Sequence, residues 1–207
     1  MPVVKNREYR MLPMLQPTQN EKRINSDYYI EGAATTFNKP YELYEFDGVK
    51  YYEVIDRNAL DGADMSDVIM QYNHEGRVLA RNTNKTLGLE PNNDILFIYA
   101  DLGKSKASKE MFEEIDSGLV TKMSWAFTVA EDIYNSDTRT RTITKVKKIY
   151  DVSAVSLPAN NDTEISARSY VDGVIEIEKQ EVLVREEELK LLQLKLEHRR
   201  ELCKLKR

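Results

Sequence analysis

Ser124 lies in the run Met123-Ser124-Trp125-Ala126-Phe127-Thr128-Val129, which alternates with the period of two expected of a half-buried strand. Its bulky residues, Met123, Trp125, Phe127 and Val129, form the face that belongs in a core. Ser124 projects the other way beside small Ala126, leaving room for an approaching group. A hydroxyl so placed is a candidate nucleophile if a base stands within reach, and an ordinary strand serine if none does. The chain has two histidines, and His198 falls in a charged C-terminal tail, so His74 is the candidate for proton transfer. It ends the apolar run Val68-Ile69-Met70-Gln71-Tyr72 in Asn73-His74-Glu75, just before Gly76; its plainer role there is that of a turn residue. Asp151 sits in the otherwise apolar Ile149–Leu157, and a buried carboxylate is costly unless partnered. A backbone amide, Lys147 or Lys148 would satisfy it, and so would the imidazole of His74. With two histidines and one cysteine far apart, no metal site is expected, and no phosphate-binding glycine loop is present; no cofactor is expected.

The elements that must hold these residues read as follows. Residues 1–22 combine a short apolar patch with prolines and form an N-terminal arm or edge strand. Arg23–Phe37 is a strand weakened or bulged at its glycine. Tyr44–Val54 is a hairpin around Asp47-Gly48, and Arg57–Asp67 is a loop with a helical turn. Arg77–Leu89 and Asp94–Leu102 are two strands joined at Pro91-Asn92-Asn93, the second buried on both faces. Ala107, Met111, Phe112 and Ile115 set a helix over Lys104–Asp116, capped by Ser105 or Ser108 and stopped by Gly118, which leads into the Ser124 strand. Beyond a turn at Asn135-Ser136-Asp137, Thr138–Tyr150 alternates Thr with Arg or Lys, the mark of an exposed strand.

The 207 residues fit one ordinary core with appendages. Hydrophobic residues at 41% and charged residues at 31% indicate a soluble globular body with a charged tail. The net charge of -5, with no strongly basic block outside the far C-terminus, argues against a nucleic-acid partner. No apolar run approaches a membrane span and no secretory signal opens the chain, so a membrane is not expected and the cytoplasm is. Cys203 has no internal partner.

Taken in order, several landmarks resemble the prohead serine proteases of tailed bacteriophages. They are Glu31-Gly32-Ala33-Ala34 with Phe37, Asn73-His74-Glu75, the helix before Gly118 with Met123-Ser124-Trp125-Ala126-Phe127, and Asp151-Val152-Ser153-Ala154-Val155-Ser156-Leu157-Pro158-Ala159-Asn160. The resemblance spans roughly 23–167. It implies a mainly β, α+β fold, with a β-barrel core like that of the herpesvirus assembly protease. It implies domains at 1–22 (arm), 23–168 (protease barrel) and 169–207 (linker and charged amphipathic helix). It assigns Ser124 as nucleophile and His74 as general base. Ala126 stands where the family usually has glycine. The herpesvirus enzymes use a second histidine as third group; here a carboxylate must serve, Asp151 first, with Glu75 and Asp132 as alternatives.

By the same resemblance the substrate is the scaffold segment of the major capsid protein, or a scaffolding protein, cut inside the immature head in the host cytoplasm. Self-cleavage is expected near Ala167–Gly173, and dimerisation is implied. The tail from Val182 to Arg207 carries Leu189, Leu192 and Leu196 on one row and Leu191, Leu194, Leu202 and Leu205 on another, and is expected to oligomerise or dock on scaffold. The competing reading is a non-catalytic assembly protein acting through this helix.

Overall fold

The computed structural model describes residues 7–12, 15–17, 22–156 and 161–205. The landmark Leu157-Pro158-Ala159-Asn160 and parts of the N-terminal arm lie outside them. Eleven strands are described: β1 (Glu8–Leu12), β2 (Leu15–Pro17), β3 (Tyr29–Thr36), β4 (Tyr41–Phe46), β5 (Val49–Ile55), β6 (Ile69–Tyr72), β7 (Glu75–Arg81), β8 (Leu87–Pro91), β9 (Ile95–Asp101), β10 (Lys122–Asn135) and β11 (Thr140–Val155). Two helices accompany them, α1 (Lys106–Asp116) and α2 (Asn161–Leu205). The fold is therefore mainly β with helices. The described strands form two sheets rather than one closed barrel: a seven-stranded sheet ordered β1-β10-β11-β5-β4, with β6 and β7 attached through β11, and a four-stranded sheet ordered β2-β3-β9-β8.

Consecutive strands change sheet at four places, β1 to β2, β3 to β4, β7 to β8 and β9 to β10. The change from β7 to β8 explains why Arg77–Leu89 is two strands rather than one: residues between Arg81 and Leu87 turn, with Thr86 N donating to Arg81 O at 3.2 Å. Between the sheets lies one apolar cluster that includes Met70, Leu96, Ile98, Trp125, Phe127 and Val152. Each such side chain contributes about 1.5–3 kcal/mol through removal from water. The outer face of β9 is half-exposed at Ile95, Phe97 and Tyr99, so that strand is not buried on both sides. The bulge in β3 falls at Ala33/Thr35 rather than at Gly32. Ser105 caps α1, accepting from Ser108 N at 3.1 Å.

The exposed strand expected over Thr138–Tyr150 is instead the first part of β11, which lies inside the sheet. β11 pairs with β10 on one side and with β5 and β6 on the other, and Arg141 is 1% exposed. A charged side chain survives there because a network satisfies it. Arg141 donates to Glu8 Oε2 at 2.6 Å, to Glu53 Oε2 at 3.0 Å and to Asp132 Oδ2 at 2.6 Å. Arg10 donates to Glu53 Oε1 at 2.6 Å and to Glu8 Oε2 at 2.6 Å, and the Tyr41 hydroxyl bonds Glu53. Burial works to raise the Glu53 carboxyl, but Arg10, Arg141 and Tyr41 outweigh it and hold it below the ordinary carboxylate range. The network ties β1, an edge strand, to β5 and β11. Glu8–Leu12 is thus an edge strand, one of the two forms expected within residues 1–22.

By chain contacts, one compact unit ends at Ser169 and a second runs from Tyr170 to Arg207. The expected linker at Ala167–Gly173 is instead part of the continuous α2. Within the second unit the apolar residues are not confined to one face: Val182, Leu183, Leu189, Leu191, Leu192 and Leu194 are each more than half exposed.

Candidate active site

Near its C-terminal end β11 lies between β10 and β6. Antiparallel pairing sets Ser124 opposite Ser153 and Ala126 opposite Asp151, while parallel pairing sets Asp151 against Ile69 and Ser153 against Gln71. Directly opposed residues share a face, so Ser124, Ala126, Asp151 and Ser153 lie on one side of the sheet. The methyl group of Ala126 is the cross-strand neighbour of Asp151, and a larger side chain there would crowd the carboxylate.

Parallel pairing also carries β6 to a reversal beside this row. Tyr72 pairs with Glu75, leaving Asn73 and His74 as a two-residue turn, both at positive φ (48° and 61°). This is the arrangement whose twist suits a hairpin. Asn73 fits its position, and its backbone N–H anchors the turn by donating to Ala154 O at 2.9 Å. A histidine in the left-handed region costs about 1–2 kcal/mol where glycine would cost little. Such strain is typical of places where a side chain is needed for something other than folding.

The imidazole is held at both ends. His74 Nε2 is 2.7 Å from Ser124 Oγ, and His74 Nδ1 is 2.5 Å from Asp151 Oδ1. A carboxylate only accepts, so the proton between them belongs to Nδ1, and Nε2 is left to accept from the serine hydroxyl. Asp151 Oδ1 also accepts from Ser153 Oγ at 2.7 Å. Lys148, an alternative partner for Asp151, instead donates to Asp64 at 2.8 Å. That ion pair holds the Asp64 carboxyl well below its usual range, with help from Ser66. Tyr9 of β1 sets its ring edge-to-face against the imidazole, centroids 4.6 Å apart at 68°.

Ser124, His74 and Asp151 are thus brought together, from three adjacent elements. Of the other acids, Glu75 is exposed at the start of β7, and Asp132 is engaged by Arg141. The open approach expected at Ser124 is not what the structure has: Met123–Val129 is buried on both faces, and Ser124 is 4% exposed. β1 and β11 flank the strand, and the imidazole lies on its hydroxyl. Tyr9 and Ser153 were not foreseen as part of the site. Ser153 carried a signal, since two residues after Asp151 on a strand means the same face. Tyr9 carried none, because its place depends on which strand β1 joins.

Among the described residues no cluster of His, Cys, Asp or Glu is suited to hold a metal. No described helix is long and apolar enough to cross a membrane. The family model for the caudovirus prohead serine protease matches residues 16–174, well over half of the chain. Neither a curated protein nor a solved structure gives a match.

Proposed function

Because the chain belongs to the caudovirus prohead serine protease family, we propose that it is a serine endopeptidase of capsid maturation working through Ser124, His74 and Asp151. The observation that supports this reading most is the unbroken pair of hydrogen bonds from Ser124 Oγ through the His74 ring to Asp151, at 2.7 Å and 2.5 Å. A serine hydroxyl is a weak nucleophile, and an oriented imidazole removes that limit.

In the proposed reaction Ser124 Oγ attacks the scissile carbonyl carbon while its proton passes to His74 Nε2. Asp151 keeps Nδ1 protonated and stabilises the imidazolium that forms. His74 then protonates the leaving amine as the C–N bond breaks, leaving an acyl group on Ser124. Water, deprotonated by the same nitrogen, attacks that ester and releases the acid product. Ser153, by donating to the carboxylate oxygen that faces His74, fixes the direction in which Asp151 accepts.

The proposed substrate is the scaffold segment of the major capsid protein, or a separate scaffolding protein, cut inside the immature head. Self-cleavage is part of the proposal. Proteases act on extended chain, so a cut between Ala167 and Gly173 requires α2 to unwind there first. Shell assembly with Ser124→Ala tests the function. The proposal expects shells that assemble but keep uncut scaffold; normally processed scaffold in that variant would refute it.

A further inference from the structure

The second unit, taken by itself, exposes an apolar seam that nothing in the proposed chemistry uses. Val182, Leu189 and Leu196 recur every seven residues and Leu192 falls three after Leu189, the spacing of a two-helix seam. These four are between 49% and 58% exposed. Exposed leucine rows of this kind mark an interaction surface.

The charges along α2 identify the occupant. Residues 176–188 hold six glutamates against Lys179 and Arg185, whereas residues 189–205 hold five lysines and arginines against Glu197 and Glu201. A helix acidic in one half and basic in the other is complementary to its own reverse. Two copies side by side in the same direction would set acid against acid.

We propose that two copies of this chain pair through α2 in antiparallel orientation, with Leu189 of each packing against Leu192 of the other. In that register Glu188 of one copy flanks the seam opposite Lys195 of the second, and the two-fold axis supplies the same pair twice. Arg185 occupies a seam position and lays its aliphatic stem beside Leu196 of the other copy. The pairing stands on α2 alone and is independent of whether Ser124 is the nucleophile.

Sedimentation of the full chain carrying Ser124→Ala, which prevents self-digestion, tests it. A concentration-dependent dimer is expected. Glu188→Lys weakens it about tenfold, and adding Lys195→Glu restores it. Leu189→Asp abolishes it, while the thermal unfolding of the protease unit stays unchanged as a control for folding. Orientation is read by oxidation. The antiparallel register places position 178 of one copy near Cys203 of the other, so Glu178→Cys is expected to give a covalent dimer linked 178 to 203. The chain without that change is expected to give none. A monomer at all concentrations overturns the proposal, as does a disulfide between the two Cys203 residues, which requires parallel helices.

Discussion

Replacing His74 by glycine and, separately, by alanine distinguishes the chemical part of this residue from its backbone cost. Both substitutions remove the imidazole and its bonds to Ser124 and Asp151. Both therefore destabilise the fold by about 1.5–3 kcal/mol, the usual loss for a hydrogen bond to a charged group. Only glycine also relieves the backbone, which sits at φ 61°. The left-handed penalty of about 1–2 kcal/mol is partly offset by the greater freedom of glycine in the unfolded chain, about 0.5–1 kcal/mol. The glycine variant should thus exceed the alanine variant by about 0.5–1 kcal/mol, or about 1–4 °C in melting temperature for a chain of this size. Urea and thermal unfolding of the two proteins measure the difference, and peptide hydrolysis measures activity, which falls by about 10⁵-fold or more in both. An alanine variant as stable as the glycine variant would show that the turn is not strained, and that His74 is not held at a backbone cost.

Three further outcomes are expected. Asp151→Asn should lower kcat about 10⁴-fold with little change in KM, because an amide donating to Nδ1 puts the proton on the wrong nitrogen; unchanged turnover would remove Asp151 from the site. Tyr9→Ala should cost about tenfold in kcat, the worth of one edge-to-face contact, while Tyr9→Phe keeps the ring and nearly full rate. Equal losses in both variants would count against a packing role. The Glu53 carboxyl lies below its unfolded value in the folded protein, so the stability it contributes is present above about pH 4.3 and is lost as pH falls through the folded value. Glu53→Gln should cost about 3–5 kcal/mol at neutral pH and flatten the acid limb of a urea-unfolding profile; a variant with the wild-type acid limb would contradict the network.

The sequence made some parts of this molecule legible and hid others for definable reasons. Local signals carried the hairpin at Asp47-Gly48, where both turn residues take positive φ, and the Ser105 cap of α1. They also carried the alternation around Ser124, because the period of two is written in neighbouring residues. What local signals leave open is which strand lies beside which. Arg141 reads as an exposed edge charge until Glu8, Glu53 and Asp132 arrive from other strands. For the same reason Ser124 appeared accessible, and Tyr9 appeared irrelevant to it. In α2 the leucine spacing was visible from the start. The linker at Ala167–Gly173 was not recognised as helix because Gly173, a helix-weakening residue, reads as a break.

The most direct test of Ser124 as the nucleophile activated by His74 is covalent labelling with a fluorophosphonate, followed by peptide mapping, on protein taken from immature shells. A single adduct on Ser124 is expected, with its rate of formation reduced at least a thousandfold, on the order set by loss of a general base, in His74→Ala. An adduct on another serine such as Ser153, or labelling of Ser124 that is indifferent to His74, would contradict it.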